Sequence, residues 1–217
     1  MNRSSANFWQ RNGLSLVLIA IFLVCLAGQV VAGRAAWNEE LLREGSAPVG
    51  WLAYLRSGHF VSATFENWES EFLQMGMYVL LTVYLRQRGS AESRPFHDDA
   101  ETIEPGPTPW PVRKGGGWAK LYGYSLTLAF ALLFAASFYL HALGSWRHEL
   151  DELRLAGRPP IGWGEHLASS TFWFESLQNW QSEFLAVLSI VVLSIFLRQD
   201  KSPESKPVAA PHVQTGT

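Results

Sequence analysis

The amino-acid sequence predicts an all-α integral membrane protein with four transmembrane helices, built as two tandem parallel helix-hairpin repeats with pseudo-two-fold symmetry. Composition is the first reason, since 48% of the 217 residues are hydrophobic and only 17% are charged, against about 25% charged in an average globular domain. The charges also stand in blocks separated by long uncharged runs, and the chain contains an internal repeat. A formal net charge of −2 gives no basic excess that would favour nucleic acid as a partner.

The first uncharged run, residues 14–32, is long enough to cross a bilayer as one helix. Its nineteen residues would extend about 28 Å, close to the thickness of the hydrocarbon core. A secretory signal peptide is the alternative for a run so near the N-terminus. A counterpart at residues 121–143 lies in the middle of the chain, where no signal peptide is removed, so a retained span is favoured for both runs.

The chain repeats itself after 112 residues. At this shift, residues 67–73 (Asn-Trp-Glu-Ser-Glu-Phe-Leu) align with residues 179–185 (Asn-Trp-Gln-Ser-Glu-Phe-Leu). Between residues 66 and 95, fifteen of thirty positions are identical in the second copy, which indicates a duplication. Because each copy holds two apolar runs, both copies would enter the membrane in the same direction, the parallel type of repeat.

The second apolar run of each copy, residues 72–85 or 184–197, is shorter than the first. Its fourteen residues fall short of the roughly twenty that a transmembrane helix needs. The helix would span the bilayer if it began earlier, near Phe60 or Phe172. The duplicated polar segment at its start, Asn-Trp-x-Ser-Glu-Phe, would then be drawn toward or into the bilayer.

The repeat divides the chain into four regions. Residues 1–95 are predicted to form the first two-span repeat, and residues 118–207 the second. Residues 96–117 are rich in Pro and Gly and are predicted to be a flexible cytoplasmic linker. Residues 208–217 are predicted to be a disordered tail.

The outer connections show helical spacing that continues beyond the first run of each copy. Gly45 and Gly157 are predicted to end these long helices, because glycine readily adopts the left-handed conformation of a helix C-terminus. The next segments, residues 51–55 and 163–167, are short and rich in apolar residues. We expect them to lie flat at the outer membrane interface.

Lys and Arg are distributed unequally between the two sides of the predicted membrane protein. Eleven lie in the N-terminus, the central linker and the tail, whereas six lie in the two outer connections. Positive residues concentrate on the cytoplasmic side of membrane proteins. The sequence therefore predicts a multi-pass protein of the cell membrane, a bacterial inner membrane, with both termini cytoplasmic.

Two motifs occur in both copies, Asn-Trp-x-Ser-Glu-Phe-Leu and Leu-Arg-Gln followed by Ser-x-Glu-Ser-Arg/Lys-Pro. With these motifs the chain resembles an uncharacterised bacterial family of small duplicated four-span membrane proteins, known only as a domain of unknown function. The resemblance covers nearly the whole chain. It implies an architecture and a location but no activity.

Glu71 and Glu183 are the strongest candidates for a polar or ion site, because both copies keep a carboxylate at this position. In the predicted helix a charge there would lie inside the outer membrane boundary and would cost a few kcal/mol unless it were paired or protonated. The neighbouring polar residues found in both copies complete this candidate site: Asn67, Asn179, Ser70 and Ser182. As a pair the two carboxylates could hold a proton or a cation. The alternative is that they brace the helices through hydrogen bonds or lie in the headgroup region.

The remaining candidates are weaker. Four tryptophans suit an aromatic belt at the membrane interface, namely Trp68, Trp180, Trp51 and Trp163. The histidines show no duplicated spacing of metal or haem ligands and are interpreted as solvated or interfacial, so no metal or cofactor is expected. Cys25 is interpreted as a packing residue.

These observations favour a structural or partner-binding membrane protein, which would contact the lipid bilayer and a protein partner or a second copy. A small proton-linked or cation-linked carrier using Glu71 and Glu183 is the alternative. An auxiliary redox subunit is a third class. The sequence contains no nucleotide-binding loop, Ser/His/Asp set or metallohydrolase motif, so an enzyme is not expected.

Overall fold

The computed structural model describes residues 7–96, 103 and 105–216, and within them the chain is helical, without a strand. The described helices follow one another in this order: α1 (Phe8–Arg43), α2 (Trp51–Leu55), α3 (Gly58–Tyr84), α4 (Trp110–Lys114), α5 (Gly116–Gly123), α6 (Ser125–Leu155), α7 (Trp163–Leu167) and α8 (Ser170–Phe196). The predicted all-α class is confirmed.

Three of the described helices, α1, α6 and α8, are long and apolar enough to cross a membrane. They suggest a multi-pass membrane protein. Helix α3 is as long as α8, at 27 residues. Its N-terminal half contains Glu66, Glu69 and Glu71, so its apolar part is shorter. A fourth span through α3 stays a prediction.

The predicted ends of the long helices are confirmed. Helix α1 ends two residues before Gly45 and α6 two residues before Gly157, and these glycines have φ angles of 75° and 65°. Helices α3 and α8 begin before Phe60 and Phe172, as a full span would require. Both bounds of α7 and of α8 lie 112 residues after those of α2 and α3, the shift that the sequence repeat gives.

The chain divides into two compact units, and the first contains the described residues up to Ala63 together with Leu143–Ile161. Its core is formed by Trp37, Leu41 and Tyr54. The connection after α1 is fixed by Val49, whose carbonyl accepts hydrogen bonds from Arg34 Nε (3.0 Å) and Asn38 Nδ2 (3.2 Å).

Helices α3 and α6 also approach closely within the first unit. The backbone of Ser62 leaves no room for a side chain at Gly144, and Gly58 faces the backbone of α6 in the same way. Glycine at both positions therefore lets the two helices touch backbone to backbone.

The second unit contains the remaining described residues, 64–142 and 162–216. Part of the predicted linker, residues 97–102 and 104, lies outside the described residues. Its C-terminal part differs from the flexible chain that the sequence predicts, because it forms α4 and α5. The rings of Trp110 and Trp118 lie 5.4 Å apart, and the Lys114 ammonium lies over both, which explains the order there.

The end of the chain also differs from the predicted disordered tail, since residues up to 216 form turns that pack in the second unit. The cause is Lys206, which is 1% exposed. Its ammonium donates to carbonyls before and after it in sequence, those of Gly89, Gln214 (2.9 Å), His212 (3.0 Å), Pro211 (3.4 Å) and Ile195 (3.5 Å). A polar, Pro-containing segment is thus ordered around one buried cation.

Candidate functional site

A buried pair of ionisable side chains lies in the second unit, where Glu69 of α3 meets His141 of α6. Both side chains are fully buried, with 0% exposure, and His141 Nδ1 lies 3.0 Å from Glu69 Oε2. This is an ion-pair distance, although the two groups are not aligned for a hydrogen bond. We call Glu69 and His141 the glutamate–histidine pair.

Helix α8 closes the pair on its other sides. The Trp180 indole donates from Nε1 to the second carboxylate oxygen of Glu69, Oε1, at 3.2 Å. The ring of Phe172 stacks on the imidazole of His141 with centroids 5.1 Å apart and planes 28° apart. Phe172 is itself 1% exposed, so the pair is enclosed by aromatic side chains and shielded from solvent.

A second carboxylate lies beside the pair. The amide of Asn179 on α8 donates from Nδ2 to Glu66 Oε1, and the same group also reaches the carbonyl of Glu175 at 3.3 Å. The Glu66 carboxylate is close enough to be attracted by His141 and repelled by Glu69. Two carboxylates therefore face one imidazole in this part of the protein.

The chemistry of this arrangement is that of a proton site. With one proton between them, Glu69 and His141 form either a neutral pair or a compensated ion pair. Removing that proton leaves a buried carboxylate without a counter-charge, which is costly. His141 Nε2 makes no hydrogen bond to the described residues, so in the state that lacks this proton it is a ring nitrogen that could take it up. Histidine exchanges protons in the physiological range.

The predicted pair, Glu71 and Glu183, lies outside this buried cluster. Glu71 is exposed and Glu183 is half-buried. The two carboxylates are close enough to repel one another, but neither reaches His141 within ion-pair distance. Their proposed role as a functional pair stays a prediction.

The predicted polar neighbours are divided between structural and site roles. Ser70 and Ser182 each donate to the main-chain carbonyl three residues earlier, at Asn67 (2.8 Å) and Asn179 (2.9 Å). These bonds are internal to α3 and α8. The Asn179 side chain contributes directly to the buried cluster, through Glu66.

The four predicted interfacial tryptophans differ in their surroundings. Trp180 belongs to the site, and Trp68 packs edge-on against Phe65 at 5.0 Å. Trp163 lies 6.4 Å from the Tyr139 ring. In the first unit, Trp51 is 50% exposed and lies beneath the Arg34 guanidinium, 4.4 Å away. Their position relative to a membrane interface stays a prediction.

The sequence interpretation of the histidines was wrong for His141, because this residue is completely buried. His166 is also buried, at 3% exposure. His59 and His148 of the first unit have ring centroids 5.2 Å apart. Among the described residues, no three His, Cys, Asp or Glu side chains are grouped to hold a metal ion.

One feature of the sequence indicates that His141 has a partner, namely its place inside an apolar run. A histidine inside an otherwise apolar helix is costly in a membrane unless it has a partner. The duplication does not single out Glu69, because the second copy has Gln181 at this position.

The fold and the site together define a helical protein with apolar helices that could cross a membrane and with a buried acid–base pair between α3 and α6. Residues 5–217 match the family described as Domain of unknown function (DUF6766), and the chain belongs to this family. The predicted resemblance to a domain of unknown function is thereby confirmed. No curated protein and no solved structure matches the chain.

Proposed function

We propose that the protein spans a bacterial inner membrane four times, as two tandem parallel helix hairpins with both termini cytoplasmic. The equal bounds of α3 and α8, 112 residues apart, support α3 as the fourth span. At about 1.5 Å per residue, a helix of this length exceeds the hydrocarbon thickness. Glu66 and Glu69, in the first half of α3, have partners inside the protein, so they need not face lipid.

The segments that follow α3 and α8 support the two-copy architecture. Gln87 N donates to Ser93 Oγ, and Gln199 N donates to Ser205 Oγ, both at 2.9 Å. Arg86 and Arg198 each donate to carbonyls in the last turn of the preceding helix. The duplicated motif thus makes the same local hydrogen bonds in both copies.

Cysteine labelling in intact cells tests this topology. In a Cys25→Ser background, we expect Ser46→Cys to react with a membrane-impermeant thiol reagent. Thr108→Cys should be protected, because α3 carries the chain back to the cytoplasm before this residue. Ser202→Cys should be protected as well.

A three-span arrangement, with α3 lying outside the membrane, predicts another pattern. Residues 46 and 108 would then lie on the same side and label together, and residue 202 would lie on the opposite side from the N-terminus. Labelling after cell lysis serves as the control that each cysteine can react. Equal labelling of Ser46→Cys and Thr108→Cys in intact cells would overturn the four-span proposal.

We further propose that the protein is not an enzyme but a small proton-linked carrier, with the glutamate–histidine pair as its proton site. The observation that carries this proposal is the complete burial of Glu69 against His141, 3.0 Å apart. Ionisable side chains inside a membrane protein are expensive and characteristically belong to proton or ion pathways. For Glu71 and Glu183 we propose a place in the headgroup region, because Glu71 is exposed.

The proton role is tested by flux in proteoliposomes that contain a pH-sensitive dye and carry an imposed pH gradient. We expect the wild-type protein to dissipate the gradient faster than protein-free liposomes do. Glu69→Gln keeps the hydrogen bond from Trp180 but cannot release a proton, so the flux should fall at least about tenfold.

Glu71→Gln is the matched control, because it removes a carboxylate two residues away on the same helix. It should change the flux by less than about twofold. A loss with Glu71→Gln and none with Glu69→Gln would instead place the proton on the pair of duplicated acids. Wild-type flux no faster than that of protein-free liposomes would contradict a proton-linked function.

A structural or partner-binding role is the second candidate, and helix α1 favours it. The most apolar stretch of α1 contains no residue that is buried inside the protein. Cys25, the single cysteine, is exposed on this helix. Lipid, a protein partner or a second copy would therefore cover a long apolar surface, which is larger than a monomer in water would leave open.

A further inference from the structure

A groove lies where α3 and α8 end, in the second unit. It has a volume of about 390 Å³ and is lined by apolar side chains of both helices, including Leu81, Leu85 and Leu188. Arg86, Tyr78 and Glu92 also line this groove. We call it the Arg86 groove. It combines a long apolar wall with one permanent positive charge.

The guanidinium of Arg86 is only partly used by the protein. Its Nη1 donates to the carbonyls of Thr82 and Val83, both at 3.2 Å, which caps the end of α3. Among the described residues, no hydrogen bond involves its Nε or Nη2. These donors are neither satisfied nor buried, so they can bind an acceptor that is not part of the chain.

In the second copy, the guanidinium of Arg198 makes a further hydrogen bond within the protein. A groove of about 240 Å³ is lined by Leu193, Leu197 and Arg198, the counterparts of Leu81, Leu85 and Arg86. There Arg198 Nη2 donates to the carbonyl of Ala210 in the C-terminal segment, at 3.1 Å. The C-terminal segment thus supplies an oxygen acceptor to Arg198, and residue 98, the counterpart of Ala210, lies outside the described residues.

We propose that the Arg86 groove binds an anionic phospholipid, with an acyl chain along Leu81, Leu85 and Leu188 and the phosphate on Arg86. The apolar wall suits an acyl chain, and the free donors of Arg86 are complementary to a phosphate. Basic pockets between transmembrane helices on the cytoplasmic side are suited to such headgroups. This proposal rests on α3 spanning the membrane but not on proton binding.

Glu92 is the one acidic side chain among the described residues that line the groove. Burial raises the pKa of its carboxyl group, and the nearby Glu204 carboxylate raises it further. Tyr78 donates to Glu92 Oε2 at 2.7 Å. This hydrogen bond opposes the effects of burial and of Glu204, and the net shift of the Glu92 pKa is upward.

Native mass spectrometry of the delipidated full chain, titrated with dioleoyl phosphatidylglycerol or dioleoyl phosphatidylcholine, tests the proposal. We expect wild type to prefer phosphatidylglycerol, and Arg86→Gln to lower that preference by about fivefold, the effect of one basic residue near an anionic lipid. Arg11→Gln, at an exposed arginine of α1, is the matched control and should keep the preference.

A second variant distinguishes the loss of a lipid contact from a distortion of the C-terminal end of α3 by Arg86→Gln. Leu188→Trp fills the groove from α8 without touching Arg86, and it should reduce retention of phosphatidylglycerol. Excess inorganic phosphate should not displace the lipid, because phosphate lacks the acyl chain. Equal retention of the two lipids by wild type, unchanged retention in both variants, or displacement by phosphate would overturn the proposal. Proton flux measured on Arg86→Gln should match wild type, which separates this test from that of the proton site.

Discussion

Replacing His141 by Phe is expected to lower the free energy of unfolding by about 3 kcal/mol, because it leaves the Glu69 carboxylate buried without a counter-charge. The phenyl ring keeps the stacking against Phe172, so the loss reports charge rather than cavity formation. Denaturant unfolding in detergent, followed by the loss of helical signal, measures it. Trp180 alone cannot compensate, since it donates one hydrogen bond to the carboxylate.

The double variant Glu69→Gln with His141→Phe separates electrostatics from packing. It removes both ionisable groups, so no unpaired charge stays buried, and its stability should recover by about 1 to 3 kcal/mol relative to His141→Phe. Purely additive effects of the two substitutions would show that the groups do not interact. In that case the 3.0 Å approach would carry no energetic weight, and the proton role proposed for the pair would lose its basis.

Much of the fold could be predicted because helices obey local rules. Length and the uniform apolar character of the first runs define α1 and α6, and glycine at 45 and 157 defines where they end. The duplication then assigns matching bounds to α3 and α8. The order of the C-terminal segment could not be predicted, since it depends on carbonyl groups that only the folded chain brings to Lys206.

The buried site could be predicted only in part, because the duplication draws attention to residues that both copies share. Two copies preserve what the architecture needs, such as the helix-capping Arg86 and Arg198. The buried pair instead uses residues in which the copies differ, since Glu69 corresponds to Gln181. One copy supplies the acid, and the other supplies His141 and Trp180 around it. Ranking acids by their presence in both copies therefore favoured Glu71 over Glu69.

Lys206→Met is expected to release the C-terminal segment and to lower the free energy of unfolding by about 3 kcal/mol. The methionine side chain resembles lysine in length but donates no hydrogen bond, so the carbonyls now bound to the ammonium would lose their donor while still largely buried. Hydrogen bonds to a charged group contribute about 1.5 to 3 kcal/mol each, and a buried acceptor without a partner costs about 1 to 3 kcal/mol. The segment should then be cut readily by proteinase K, whereas we expect the wild-type protein to resist cleavage there.

The effect of Lys206→Met tests the buried ammonium specifically, because other contacts of the C-terminal segment stay intact in this variant. Gly89 N still donates to Thr215 Oγ1, and Gly216 N to the Ser90 carbonyl, both at 2.9 Å. If these two bonds suffice to hold the segment, Lys206→Met will resist proteinase K as wild type does, and the buried ammonium is not what orders it.

Lys201→Met, at an exposed lysine of the same segment, is the matched control and should change stability by no more than about 0.5 kcal/mol. Lys206→Arg places in the second copy the residue that the first copy has at Arg94. It should recover only part of the stability, because the wider guanidinium cannot direct its donors to the same carbonyls as a compact ammonium does.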